Sequence, residues 1–227
     1  MKHEARTVYH QELTQIREGV LRLGGMVDQA IERALDALRQ RDRSVALQVV
    51  FGDAEINRLR FELEEAGLRL IATQQPAAGD LREVLAALNI AIEMERMADH
   101  AAGIAKTVLR MGDEPLLKPL IDIPRMAQAA REMLGSALKA FIDRDAEAAR
   151  SIAARDDEID NLYRAVFDEL IEIMARDPTT VERGTYLLWC GHNLERIGDR
   201  VTNLAERVVF MTTGHLQELN LKPPGEF

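Results

Sequence analysis

Carboxylates at helical spacing carry most of the chemistry open to this sequence. Glu195 and Asp199 stand four residues apart, and so do Glu95 and Asp99. Both pairs occupy the same frame, Glu-Arg-x-x-Asp, at an offset of 100 residues. Asn203 extends the second series by four more residues, where the first copy has Gly103. Residues at i and i+4 of a helix share a face. Like charges so placed disfavour the helix by roughly 0.2–0.5 kcal/mol without a compensating cation. One such pair means little, but its recurrence at equivalent places asks for a reason. Two further pairs, Asp53 with Asn57 and Asp156 with Asp160, stand at the same spacing on the preceding helices. Facing the Glu-Asp pairs across a shallow groove, they would turn only oxygen donors toward one volume, which suits a hard or borderline cation. The same spacing also allows solvated faces neutralised by Arg96, Arg196 and Arg200. His100 and His192 lie near the two acidic faces and are candidate additional ligands.

The elements that must position these residues are helices, because no stretch sustains strand-like alternation. The spacing predicts six. The first runs from Tyr9 to about Arg41, with a stripe of Leu21, Val27, Ile31, Ala34, Leu35 and Leu38 and a possible kink at Gly24-Gly25. The second ends near Thr73, with Ile56, Leu59, Leu63, Ala66 and Leu70 inward. Pro76 breaks the chain before a third helix from Leu81 to Met111. The fourth spans about Arg125–Asp143, the fifth Ala146–Arg176 and the sixth Thr180–Met211. On the sixth, Leu187, Cys190, Leu194, Ile197, Val201, Leu204, Val208 and Met211 form an unbroken seam at steps of three and four. Ile90, Met94, Met97, Ala101, Ile104 and Val108 do the same on the third. Both carboxylate pairs should then lie largely opposite their seams.

The duplication extends beyond this frame. Ala37 to Asp42 matches Ala140 to Asp145, and Asp53 to Leu59 matches Asp156 to Leu162, both at an offset of 103. The difference of three residues falls in the loop around Pro76, and length changes confined to loops mark a true repeat. The fold class is therefore all-α, two tandem three-helix bundles related by internal duplication. We place the first at 1–114, a linker at 115–124, the second at 125–215 and a flexible tail at 216–227.

Composition narrows the function. The formal net charge of −9 disfavours nucleic acid and anionic membrane surfaces as partners. No apolar run approaches the roughly 20 residues of a membrane span, so no direct membrane insertion is expected. The start carries no apolar signal core, and a cytoplasmic location is expected. The single cysteine, Cys190, is read as a core thiol. Glu-x-x-His is absent, which disfavours a di-iron oxidase of the bundle type. No phosphate-cradling glycine loop or nucleophile elbow is present.

Nearly the whole chain resembles the PhoU family, the regulatory proteins of bacterial phosphate-transport systems. The resemblance rests on Gln75-Pro76-Ala77-Ala78-Gly79-Asp80-Leu81-Arg82, on Glu95-Arg96-Met97-Ala98-Asp99, on Leu194 to Ala205, and on the duplicated layout. It implies metal-ion clusters on the bundle surface, of iron, zinc, magnesium or calcium. The matching positions are Asp53, Asn57, Glu95 and Asp99 in the first copy, and Asp156, Asp160, Glu195, Asp199 and Asn203 in the second. Asn57 stands for an acid and Gly103 for the amide, so the second face is expected to bind more firmly. The resemblance further implies a homodimeric negative regulator of the phosphate-starvation response rather than an enzyme. Its implied partners are the importer's ATPase subunit and a sensor histidine kinase. A metal-stabilised helical scaffold and a helical-bundle metalloenzyme are the alternatives.

Overall fold

Helices account for every regular element of the structure, a computed structural model that describes residues 2–112 and 114–220, with side chains from Thr7 onward. They are α1 (Lys2–Gln40), α2 (Arg43–Gln74), α3 (Gly79–Met111), α4 (Asp122–Asp143), α5 (Ala146–Ala153), α6 (Asp156–Arg176) and α7 (Val181–Thr213). A 3-10 turn, Pro178–Thr180, leads into α7 and is capped by Asp177, whose Oδ1 accepts from Thr179 N–H. The first bundle comprises α1, α2 and α3; the second comprises α4, α5 with α6, and α7.

The bundles meet along α3 and α7, and again along α1 and α4, sharing one apolar core. Every residue of the two long seams is buried. Each large aliphatic side chain so placed contributes roughly 1.5–3 kcal/mol. Gly103 and His100 face Asn193, while Glu93 faces Arg200 and Asn203. As the position rises on α3 it falls on α7, so the two helices cross antiparallel. The duplication maps this contact onto itself, which makes the crossing the pseudo-two-fold axis of the molecule. Gly24 lets α1 approach α4 closely: a Cβ there would lie 2.4 Å from Leu138 Cδ1.

The repeated Arg-Asp pair acquires a physical meaning as a corner. Arg41 and Arg144 both take left-handed backbone, at φ 54° and 56°. The next residue in each case caps the following helix: Asp42 Oδ1 accepts from Ser44 and Val45 N–H, and Asp145 Oδ1 from Glu147 and Ala148 N–H.

Three expectations need correction. The fifth predicted helix is broken at Ala154-Arg155 into α5 and α6. The acidic run Asp156-Asp157-Glu158 is the first turn of a new helix, where negative charge is favoured. Leu21 is 41% exposed, and Val20 and Leu23 fill the core in its place. The carboxylates of α7 do not look away from the protein: α3, α4, α5 and α6 all pack on that helix, and Glu195 is largely buried beside α6. Beyond α7, residues 214–220 turn back along it; 221–227, the remainder of the expected tail, lie outside the described residues.

Candidate functional site

The first acidic face is built by α2 and α3. Asp53 and Asn57 lie one turn apart, and the Asn57 amide donates to Asp53 Oδ2 at 3.1 Å and to the Asp53 carbonyl at 3.3 Å. Asp53 Oδ1 is buried and accepts no hydrogen bond among the described residues. Burial raises the pKa of Asp53 and the charge of Asp99 raises it further, against Lys106 and Asn57. Glu95 is raised by burial, then by Asp99 and Asp53, with Arg60 and Arg96 opposing. Three carboxylates therefore share one electrostatic environment. Arg96 turns instead to Glu93, at 3.5 Å, and Arg60 pairs with Glu64.

The second face is built by α6 and α7. Asp156 and Asp160 are buried. Asp156 Oδ1 lies over Gly198, where a Cβ would stand only 2.8 Å away, so the glycine sets how closely α6 approaches α7. Glu195 is raised by burial, then by Asp199, with Arg196 opposing and Asp160 adding to the rise. Arg196 binds both acids of the frame: Nε lies 2.8 Å from Glu195 Oε2 and Nη1 lies 2.8 Å from Asp199 Oδ2. An open pocket of about 470 Å³ is lined by Asp156, Asp199 and Asn203 together with Arg196, Arg200 and Asn220.

The structure thus gathers Asp53, Glu95 and Asp99 on one face and Asp156, Asp160, Glu195 and Asp199 on the other. Asn203 lines the second pocket but gives its amide to Glu93 Oε2 at 3.1 Å. His100 bonds Asn193 Oδ1 at 3.0 Å across the α3/α7 crossing, away from the acids. His192 Nδ1 stands 3.5 Å from Glu195, while partial burial and then Arg196 lower its pKa. Cys190 is wholly buried and its thiol is pushed up to about 12, as befits a core residue. Glu93 was not picked out from the sequence. Its signal was an acid set among Ile90, Ala91 and Met94 inside an apolar stripe, which only a partner on another helix could satisfy.

The donor chemistry fits a cation. The donors are oxygens, their mutual repulsion is relieved only in part by the protein, and the buried Asp53 Oδ1 has capacity to spare. The geometry is open: among the described residues, no three of His, Cys, Asp or Glu are arranged to hold an ion. These are carboxylate faces that a cation would have to draw together.

A duplicated helical bundle with paired acidic faces is the architecture that the comparisons with known proteins match. The PhoU domain matches at residues 20–108 and again at 123–208, and the chain belongs to the PhoU family. The phosphate-specific transport system accessory protein PhoU homolog of Clostridium acetobutylicum is 34% identical over 95% of this chain and 99% of its own. That of Caulobacter vibrioides is 37% identical over 95% and 94%. The crystal structure of the phosphate transport system regulatory protein PhoU from Streptococcus pneumoniae superposes with a TM-score of 0.86 at 33% identity, covering 92% of this chain and 99% of that one. PhoU from Pseudomonas aeruginosa gives 0.87 at 31% identity, over 91% and 100%. The family is one of regulatory accessory proteins, not enzymes. No helix among the described residues is long and apolar enough to cross a membrane.

Proposed function

We propose that this protein is the accessory regulator of a phosphate-import system, restraining the phosphate-starvation response when phosphate is plentiful and moderating high-affinity uptake. The observation that carries this reading is the match of both repeats, over nearly the full length, to phosphate-transport accessory proteins. In this reading it works in the cytoplasm, as a homodimer, as an adaptor between the importer's ATPase subunit and a sensor histidine kinase. Asp53, Asn57, Glu95 and Asp99 hold one cation cluster; Asp156, Asp160, Glu195, Asp199 and Asn203 hold the other. A bound cation supplies positive charge that offsets the crowded carboxylates. The protein's own part is to set α2 against α3, and α6 against α7, so that these oxygens share a face.

The test is a phosphate-starvation promoter reporter in cells lacking this gene, grown in excess phosphate. Derepression is expected, with restoration by the wild-type gene. A promoter that stays silent, with no second copy present, would refute the regulatory role.

A further inference from the structure

The second acidic face is partly covered by the chain that follows α7. After α7 the chain reverses at Gly214, which takes φ +80° and gives its N–H to the Phe210 carbonyl at 2.8 Å. Residues 215–220 then run back toward α6. Leu219 packs half-buried against the core, and its N–H donates to Glu206 Oε1 at 3.0 Å. Asn220 Nδ2 donates to Asp156 Oδ2 at 2.6 Å, and Glu218 and Asn220 complete the wall of the pocket. Among the described residues, the segment after α3 is bonded elsewhere: Arg41 donates to the Glu114 carbonyl at 2.6 Å, and Arg183 Nε stands 3.5 Å from Glu114 Oε2.

We infer that residues 214–220 are a strap that competes with a cation for the second carboxylate face, the Asn220 amide standing on the Asp156 oxygen that a cation would take. This rests on the metal-binding reading proposed above. The Asn220 N–H at 2.6 Å draws on the charge that Asp156 Oδ2 would offer a cation, and its side chain stands in the pocket a cation would enter, so strap docking and cation binding oppose each other, each weakening the other by the same factor. The strap's hold combines two hydrogen bonds to carboxylates with the burial of Leu219, so loosening either end favours the cation. Arg196 already supplies positive charge to Glu195 and Asp199, and the strap adds a hydrogen-bond donor to Asp156.

The experiment is Mn²⁺ titration of the full-length chain, followed by electron paramagnetic resonance, in an Asp99→Ala background that silences the first face. Asn220→Ala, and separately Leu219→Ala, should each tighten Mn²⁺ binding by about tenfold, the equivalent of one charged hydrogen bond. Unchanged or weaker binding in both, with loss of Mn²⁺ in Asp156→Ala and Asp199→Ala, would overturn the strap and leave the metal site standing. Weaker binding would assign the strap the opposite role, as a donor of Glu218. No Mn²⁺ bound by any variant in this background would overturn the site at this face and the strap with it.

Discussion

Asn203 on α7 and Glu93 on α3 are bonded across the antiparallel crossing of the two repeats, and the internal duplication maps this pair onto Gly103 and Asn193. One arm of the pseudo-two-fold is charged, with Arg200 Nη1 3.4 Å from Glu93 and Arg96 Nη1 at 3.5 Å. The other is neutral, with His100 on Asn193. Glu93 is buried, so removing it leaves Arg200 and Asn203 facing an apolar seam. Glu93→Ala should lower stability by about 3 kcal/mol, and Glu93→Gln by about half of that, since it keeps an acceptor for Asn203. Urea denaturation midpoints measure both. Equal losses would show that shape, not the hydrogen bonds, is what Glu93 supplies.

On the neutral arm, the missing amide at position 103 has a steric cause. A Cβ at Gly103 would lie 2.8 Å from Asn193 Oδ1, the atom that His100 bonds. Gly103→Ala should therefore displace the Asn193 side chain and cost about 1–2 kcal/mol. Adding Asn193→Ala should recover part of that loss. A double-mutant cycle checks it, and strictly additive costs would show that the two sites do not interact.

The surroundings of the two faces weigh against the ranking that ligand types alone suggest. The second face has more oxygen donors, but Arg196 bridges Glu195 and Asp199. Among the described residues, Asp53, Glu95 and Asp99 form no ion pair with Lys, Arg or His, and Asp53 Oδ1 accepts no hydrogen bond. A cation at the second face must displace a guanidinium; at the first it meets repulsion that it relieves. Asp99→Ala should remove more tightly bound Mn²⁺ or Zn²⁺ than Asp199→Ala, and Arg196→Ala should narrow the gap. Elemental analysis after dialysis against a weak chelator decides, and greater loss in Asp199→Ala would restore the original order.

Much of this architecture was legible because it is periodic. The seams of α3 and α7 follow from steps of three and four, and the carboxylate pairs from i,i+4 spacing. The repeat offset indicated that the two pairs stand in equivalent frames. Charge pairing was less legible, because it depends on which helix stands opposite. The sequence placed Arg96, Arg196 and Arg200 near the acids; Arg96 meets Glu93 one turn away on its own helix, but only the crossing of α3 with α7 brings Arg200 to Glu93, while Arg196 bridges Glu195 and Asp199. The break between α5 and α6 was missed because Ala154 and Arg155 are good helix formers; the acidic run after them was the better guide. The path of 214–220 has no periodic signature at all.

Two buried groups give the fold an alkaline limit. Burial pushes the Cys190 thiol up to about 12 from an ordinary 9.0. Tyr9, whose hydroxyl donates to the Asp80 carbonyl at 3.2 Å, is raised to about 12 from 10.0, by burial first and then by Asp80 and Glu83. In both, the folded chain holds its proton to higher pH than the unfolded chain does. Their contribution is fully present below pH 9 for Cys190 and below pH 10 for Tyr9, and is lost progressively as pH rises toward 12. The urea midpoint should therefore fall from pH 9 upward, and Tyr9→Phe should flatten the part of that fall above pH 10. At pH 8 in native buffer, Cys190 should react with a maleimide only as fast as the protein opens, and promptly in denaturing urea. Rapid labelling of the folded chain would show that the α7 seam is not closed around this thiol.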